Sequence, residues 1–274
     1  MKIHFYGTGA SEGVPSMFCD CLACNEARRL GGKNIRTRSS CAINDNLLID
    51  FSCDTFAHTV WGGLDLRKID NFLITHAHKD HLYPHDLVNM APPMAQRIRN
   101  DIIHLYGTKE AVEIIQRVFS KETRGIIPAT AEVLAPGKET SVGPYQVIPI
   151  KTKHAADIDC YIYIIKHEGK TLLYGHDSTM YPEDAWQYIL REKYDCVIMD
   201  CTSVLSSHVF SSHMGFDENV AVRNRLIGNG CATNSTLFIA THFVHTYNPL
   251  HDRIAPIFAK DGIIPAFDGF EVDI

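Results

Sequence analysis

The sequence predicts a mixed α/β fold. Short apolar or β-branched runs bounded by Gly, Asp or Asn recur along the chain and are typical of strands, among them IHFYG, CAINDNLLID, DNFLITH, CYIYIIKH and DCVIMD. Helical patterns lie between some of these runs, in TKEAVEIIQRVF, EDAWQYILRE and FDENVAVRNRLIG. The runs LLID, CVIM and LFIA are apolar on both faces, which indicates sheets that are covered on both sides.

Length and composition limit the classes of function. A chain of 274 residues that is 45% hydrophobic can bury one large core, so we expect a single domain over residues 1–274. The net charge of -6 provides no overall basic field, and we expect no nucleic-acid or membrane partner. No apolar run approaches the roughly 18 residues that span a bilayer, and the first residues do not resemble a signal peptide. A cytoplasmic location is therefore expected, with the nine cysteines kept as thiols or bound to metal.

Ionisable side chains follow several predicted strands at the point where the apolar run ends. They are Asp50, His76, Asp177, Asp200 and His242. Such groups converge along one rim of a sheet, which is where open α/β folds place their sites. Asp200 could instead be a solvent-facing strand terminus, and position alone does not show whether His176 reaches the site.

The segment THAHKDH, residues 75–81, contains four candidate metal ligands. Side chains alternate in an extended segment, so His76 and His78 point the same way and can bind one ion. His81 breaks this alternation, and a turn there lets Asp80 and His81 face a second ion. The alternative is a surface loop that is rich in histidine by chance, and four ligands at this spacing argue against it.

The pattern T-H-x-H-x-D-H resembles the signature of the metallo-β-lactamase fold superfamily, with further matches in the expected order along the chain. The resemblance implies an αβ/βα four-layer sandwich with a binuclear metal site at one edge, and Asp50 orienting the ligands from behind. It implies these ligands: His76, His78 and His154 for one ion, Asp80, His81 and His242 for the other, and Asp177 between them. Taken alone, His154 could be an ordinary loop histidine and Asp177 a turn former.

Three cysteines, Cys19, Cys21 and Cys24, lie within six positions of one another. In LFIATHFVH the separation of His242 and His245 sends the two side chains to opposite sides, so His245 can complete a closed Cys3His site for structural zinc. The alternative is a cluster of redox-active or incidental thiols. The other cysteines, including Cys53, are expected to be small core residues.

The run GTGASEGVPSMFCDCLAC, together with H-x2-H, resembles the phosphonate-degradation phosphodiesterases of the carbon–phosphorus lyase pathway, which open 5-phosphoribosyl 1,2-cyclic phosphate. The resemblance implies hydrolysis of a small phosphodiester, cyclic or open, by a hydroxide shared between two Zn or Mn ions. Asp80 would be essential for catalysis. His213 would donate a proton to the leaving oxygen, although Ser212 stands where the family often has Gly. A helix-capping or surface histidine is the alternative for His213.

Other functions remain open at this stage. The same ligands suit a thioester or lactone hydrolase, and less well a tRNA 3′-processing nuclease, because residues 120–145 carry no net charge in place of a basic arm. A zinc-stabilised binding module without catalysis would be expected to lack ligands. Residues 84–100, with Arg97 and Arg99, are expected to form a helix on the sheet; a substrate entrance or a homodimer contact are the alternatives.

Overall fold

Two seven-stranded sheets form the centre of the molecule. The computed structural model describes residues 1–96, 102–122, 127–207 and 210–274. Arg97, Arg99 and Arg124 lie outside these residues, as does part of the segment 84–100. Described residues of that segment form a 3₁₀ helix at Pro84–Met90, whose Leu87 packs into the core, rather than the expected longer helix.

The first sheet has the strand order β14-β1-β2-β3-β4-β5-β6. Its strands are β1 (Lys2–Gly7), β2 (Ser40–Ile43), β3 (Leu47–Ile49), β4 (Asn71–Ile74), β5 (Ile103–Gly107), β6 (Ala129–Val133) and β14 (Phe270–Asp273). The run CAINDNLLID forms two of these strands, because Asn44 and Asp45 turn the chain with φ of 50° and 58°. Positive φ at two adjacent residues is typical of a tight hairpin turn.

The second sheet has the order β13-β12-β11-β10-β9-β8-β7. Its strands are β7 (Thr140–Val142), β8 (Tyr145–Thr152), β9 (Cys160–His167), β10 (Lys170–Gly175), β11 (Cys196–Asp200), β12 (Leu237–Thr241) and β13 (Ile263–Pro265). The strands β10, β11, β12 and β13 pair in parallel. Their carboxyl ends therefore meet at one edge of the sheet.

The helices cover the outer faces of the two sheets. They are α1 (Leu22–Leu30), α2 (Thr55–Val60), α3 (Lys109–Glu122), α4 (Glu183–Ile189), α5 (Phe216–Gly228) and α6 (His251–Phe258). Thr108 caps α3 as its sequence indicates, since its hydroxyl accepts a hydrogen bond from the Ala111 N–H. No helix among the described residues is long and apolar enough to cross a membrane.

Three apolar clusters show how the layers pack. The central cluster joins the inner faces of the two sheets, the second packs α4, α5 and α6 on the second sheet, and the third packs α3 on the first sheet. Within CVIM, Ile198 points into the central cluster while Val197 and Met199 point to the helices. The strand is buried on both faces, and the predicted αβ/βα sandwich is confirmed.

Gly7, at the end of β1, allows a close approach between β1 and the segment that leads into β2. A Cβ atom at this position would overlap the carbonyl oxygen of Arg38, and the overlapped atom is backbone that cannot rotate away. Gly228, in α5, has open space around the corresponding position.

We expect Gly7→Ala to lower the free energy of unfolding by about 1–3 kcal/mol, the usual cost of overpacking. The matched variant Gly228→Ala should be neutral or stabilising by up to about 1 kcal/mol, because alanine favours the helix. Urea denaturation of both variants measures these changes. Equal stabilities would contradict the close approach of β1 to Arg38.

Candidate active site

The polar strand ends meet beside one cleft. Asp50, Asp177 and His242, which follow β3, β10 and β12, are buried and have positive φ values of 63°, 52° and 65°. Non-glycine residues rarely adopt this conformation, and it concentrates at functional sites. The cleft beside them has a volume of about 640 Å³ and is lined by loops from both sheets. The strand-end pattern in the sequence therefore identifies the site.

The first donor group comprises His76, His78, His154 and Asp177, whose ligand atoms all lie within 4.8 Å of one another. His78 Nδ1 lies 2.9 Å from His76 Nε2 and 3.2 Å from His154 Nε2. One carboxylate oxygen of Asp177, Oδ2, lies 3.2 Å from His76 Nε2, and the other, Oδ1, lies 3.2 Å from His154 Nδ1. The structure thus brings together the three histidines that the resemblance assigned to one ion and Asp177, which it assigned to the bridge.

The second donor group comprises Asp80, His81 and His242. His81 Nε2 lies 3.2 Å from Asp80 Oδ2 and 2.9 Å from Asp177 Oδ2. His242 Nε2 lies 3.9 Å and 3.7 Å from the same two oxygens. Asp177 therefore touches both groups, as expected of a bridging ligand.

Several of these donor atoms are buried without a hydrogen bond. They are His81 Nε2, His242 Nε2 and Asp177 Oδ1. A buried polar atom that lacks a partner costs free energy, and such atoms are uncommon in native structures. Three of them converging with carboxylates and imidazoles fit divalent cations, for which nitrogen and oxygen are the usual ligands.

The protonation of two histidines of the first donor group also suits metal binding. Burial lowers the pKa of His76 to about 3, which keeps its imidazole neutral. Burial also lowers the pKa of His154. A neutral imidazole has a free lone pair, and that is the form that binds a metal ion.

Asp50 lies directly behind the second donor group. Its carboxylate accepts hydrogen bonds from the Thr75 N–H at 2.8 Å and the Thr75 hydroxyl at 2.9 Å, and it lies 2.7 Å from His81 Nδ1. When His81 donates through Nδ1, its Nε2 is left to face Asp80 and Asp177. Orientation of a ligand by a buried carboxylate is typical of metal sites.

Asp200 and His213 form a pair beside the metal ligands. Asp200 is fully buried at the end of β11, so the solvent-facing alternative is wrong. Its Oδ2 lies 3.0 Å from His213 Nδ1, and its Oδ1 accepts a hydrogen bond from the Met214 N–H at 2.8 Å. Burial alone would lower the pKa of His213, but the Asp200 and Asp177 carboxylates outweigh it and raise the pKa to about 10. His213 lines the cleft rather than capping α5, whose N-cap is Gly215.

His176 lies behind the site and does not line the cleft. Its ring is fully buried against His81 and His242, at centroid distances of 5.2 Å and 5.6 Å. Neither ring nitrogen makes a hydrogen bond. The sequence did not show whether His176 and Asp200 belong to the site. The feature that pointed to them is their position at the end of a strand.

Comparison with known families agrees with this arrangement. Residues 45–243, well over half of the chain, match the family described as "Beta-lactamase superfamily domain". The chain belongs to this superfamily. It is therefore a metal-dependent hydrolase. The resemblance to the metallo-β-lactamase fold superfamily, drawn from the sequence, is confirmed.

Solved structures with this fold resemble the whole chain. A diphosphatase from the PhnP family is 20% identical with a TM-score of 0.78, covering 100% of this chain and 97% of that one. Zn(2+)-bound PqqB from Methylobacterium extorquens is 17% identical with a TM-score of 0.72, covering 100% of both chains. Human tRNase Z, short form, is 17% identical with a TM-score of 0.68, covering 100% and 99%. Identities this low show the fold alone.

One curated relative matches over a shorter segment. An octanoyltransferase of Porphyromonas gingivalis (strain ATCC BAA-308 / W83) is 35% identical over 86 residues. The match covers 30% of this chain and 16% of the length of that relative.

This metallo-β-lactamase fold protein also has the expected thiol cluster. The donor atoms of Cys19, Cys21, Cys24 and His245 all lie within 4.8 Å of one another, and Cys21 Sγ is 3.7 Å from His245 Nδ1. Burial raises the pKa of Cys21, but hydrogen bonds from the Cys24 backbone and His245 outweigh it and lower the pKa to about 6. A thiolate is the form that binds zinc, and three cysteine sulfurs with one imidazole nitrogen suit a closed tetrahedral site.

The remaining cysteines follow the expectation with one correction. Cys41, Cys160, Cys196 and Cys201 are buried. Cys53 is exposed, because it lies in the turn before α2 and not in a strand. The expectation of a core position for Cys53 was wrong.

We expect Cys21→Ser to remove one zinc atom per chain and to lower the melting temperature, since a zinc ion held by this loop would contribute to folding. Elemental analysis and thermal denaturation measure the two effects. Cys53→Ser is the matched control and should leave both values unchanged. A Cys21→Ser protein with unchanged zinc content would contradict a metal site at this cluster.

Proposed function

We propose that this protein is a phosphodiesterase that hydrolyses a small phosphodiester, cyclic or open, at a binuclear metal centre. The observation that carries the proposal is the placement of Asp177 between two groups of buried donors. We assign one ion to His76, His78 and His154, the other to Asp80, His81 and His242, and the bridge to Asp177. We further assign a structural zinc ion to the thiol cluster.

The donor chemistry admits either Zn or Mn in the catalytic pair, since imidazole and carboxylate suit both. Bound divalent ions would supply positive charge for a phosphate group and would lower the pKa of a water molecule held between them. The carboxylates of Asp80 and Asp177 compensate only part of that charge, so the site favours an anion. An anionic phosphodiester compensates the remaining positive charge better than a neutral carbonyl compound does.

The leaving oxygen requires a proton, and His213 is placed to provide it. Asp200 holds the ring through Nδ1, so that Nε2 is left for the substrate side of the cleft. Thr202 donates its hydroxyl hydrogen to Asp200 at 2.9 Å, which fixes the carboxylate in turn. In this proposal His213 is the general acid and Asp200 is its positioning residue.

We expect His213→Gln to lower kcat by about 100-fold or more for a substrate with an alkoxide leaving group, in line with general acid catalysis. The loss should be much smaller for bis(p-nitrophenyl) phosphate, because p-nitrophenolate leaves without protonation. His167→Gln, at the far end of β9, is the control and should behave as wild type. Equal losses on both substrates would contradict proton donation by His213.

Asp80→Ala should abolish phosphodiester hydrolysis and reduce the metal content while the melting temperature changes little. The control is the exposed Asp252→Ala, which should retain activity. Both are assayed on bis(p-nitrophenyl) phosphate, a 2′,3′-cyclic nucleotide, a thioester and a lactone. Rapid turnover of the carbonyl substrates alone would show that the phosphodiesterase proposal is wrong.

A thioester or lactone hydrolase is the second candidate. The observation that favours it is the 35% identical segment in an octanoyltransferase, an enzyme that moves an acyl group. A tRNA-processing nuclease ranks lower despite the structural likeness to human tRNase Z, because the sequence of residues 120–145 carries no net charge. A module without catalysis is disfavoured by the superfamily membership. The cytoplasmic location, and the lack of nucleic-acid and membrane partners, remain part of this proposal.

A further inference from the structure

A second cavity adjoins the catalytic cleft. It has a volume of about 260 Å³, and Ser11, Glu12, Lys79 and Asp80 line both spaces. Its outer wall includes Met17 and Phe18, which immediately precede Cys19 of the thiol cluster. A group attached to a phosphate in the cleft can therefore extend past Lys79 to Phe18.

Phe18 is an exposed aromatic side chain on a fixed backbone. Its exposed fraction is 98%, and that of Met17 is 70%. The flanking backbone is held by Arg28, which donates to the carbonyl oxygens of Ser16 at 3.0 Å and Cys19 at 2.9 Å. The Ser16 N–H also approaches Cys24 Sγ at 3.4 Å. Two neighbouring apolar side chains that a fixed loop keeps exposed to solvent indicate a surface that binds a ligand or a partner.

Lys79 is a free cation at the junction of the two cavities. Its side chain is exposed and forms no salt bridge within the described ranges. Arg38, which also lines the second cavity, already has partners. It pairs with Asp54 at 3.1 Å and donates to the Ser11 carbonyl oxygen at 3.0 Å. The carboxylates of Glu12 and Asp80 also line this junction, and Asp80 is assigned to a metal ion. An anionic group next to the catalytic phosphate would therefore be placed at Lys79.

We propose that the second cavity binds the nucleotide portion of the substrate, with a phosphoryl group at Lys79 and the aromatic base against Phe18. This subsite rests on the proposed phosphodiesterase function, because it extends the same cleft. Its open shape and charged border favour a flat ring with polar edges over an alkyl chain, which would require an enclosed apolar tunnel. Stacking of a base on an aromatic side chain is sequence-tolerant and can supply about tenfold or more in affinity.

The test is calorimetric titration of the metal-loaded protein with ADP, AMP and ribose 5-phosphate. Wild type should bind ADP most tightly. Phe18→Ala should weaken ADP and AMP about tenfold and ribose 5-phosphate less than twofold, since only the nucleotides have a base. Lys79→Ala should remove the advantage of ADP over AMP. The matched controls, Trp61→Ala and Lys138→Ala, change exposed residues that line neither cavity and should match wild type.

Equal wild-type affinities for ADP and ribose 5-phosphate, or no effect of Phe18→Ala on ADP, would overturn the subsite. A change of oligomeric state in Phe18→Ala with unchanged ADP affinity would likewise overturn it and assign Phe18 to a subunit contact. Hydrolysis of bis(p-nitrophenyl) phosphate is measured on the same samples. A wild-type protein that does not hydrolyse bis(p-nitrophenyl) phosphate would contradict the proposed phosphodiesterase function. The ADP titration tests the nucleotide subsite independently of that result.

Discussion

The architecture of the site depends on one buried carboxylate. Asp177 is 2% exposed, has φ of 52°, and lies within 3.2 Å of ring nitrogens from His76, His81 and His154. These imidazoles come from loops on both sheets, so the contact ties the two halves of the sandwich together. A buried charge is tolerated only when it is compensated, and both donor groups surround this one.

The two sheets bring the other polar side chains of the site together, because parallel strands end at a common edge. Strands β10, β11 and β12 place Asp177, Asp200 and His242 side by side, and the parallel pair of β3 and β4 does the same for Asp50 and His76. Apolar residues bury both faces of these strands, so their ends are fixed by the core. The positioning of the site is thus a consequence of packing, with positive φ at Asp50, Asp177 and His242 as its local cost.

The sequence predicted contacts between residues that are close along the chain better than contacts between residues that are far apart. The alternation in THAHKDH was enough to pair His76 with His78, because strand geometry is local. Directing Asp80 and His81 to a second ion required a turn in the chain. His154 and Asp177 were ambiguous alone and were placed through the superfamily resemblance. The contact between Asp200 and His213 depends on how the loop before α5 returns to β11, and the exposure of Cys53 depends on a turn. Neither is encoded in a periodic pattern.

The central claim is that Asp177 lies between two metal ions. X-ray diffraction from crystals of the protein, recorded above and below the Zn and Mn absorption edges, tests it most directly. We expect three anomalous peaks per chain, two flanking the Asp177 carboxylate and one zinc peak among Cys19, Cys21, Cys24 and His245. A fully active preparation with fewer than two peaks beside Asp177 would contradict it.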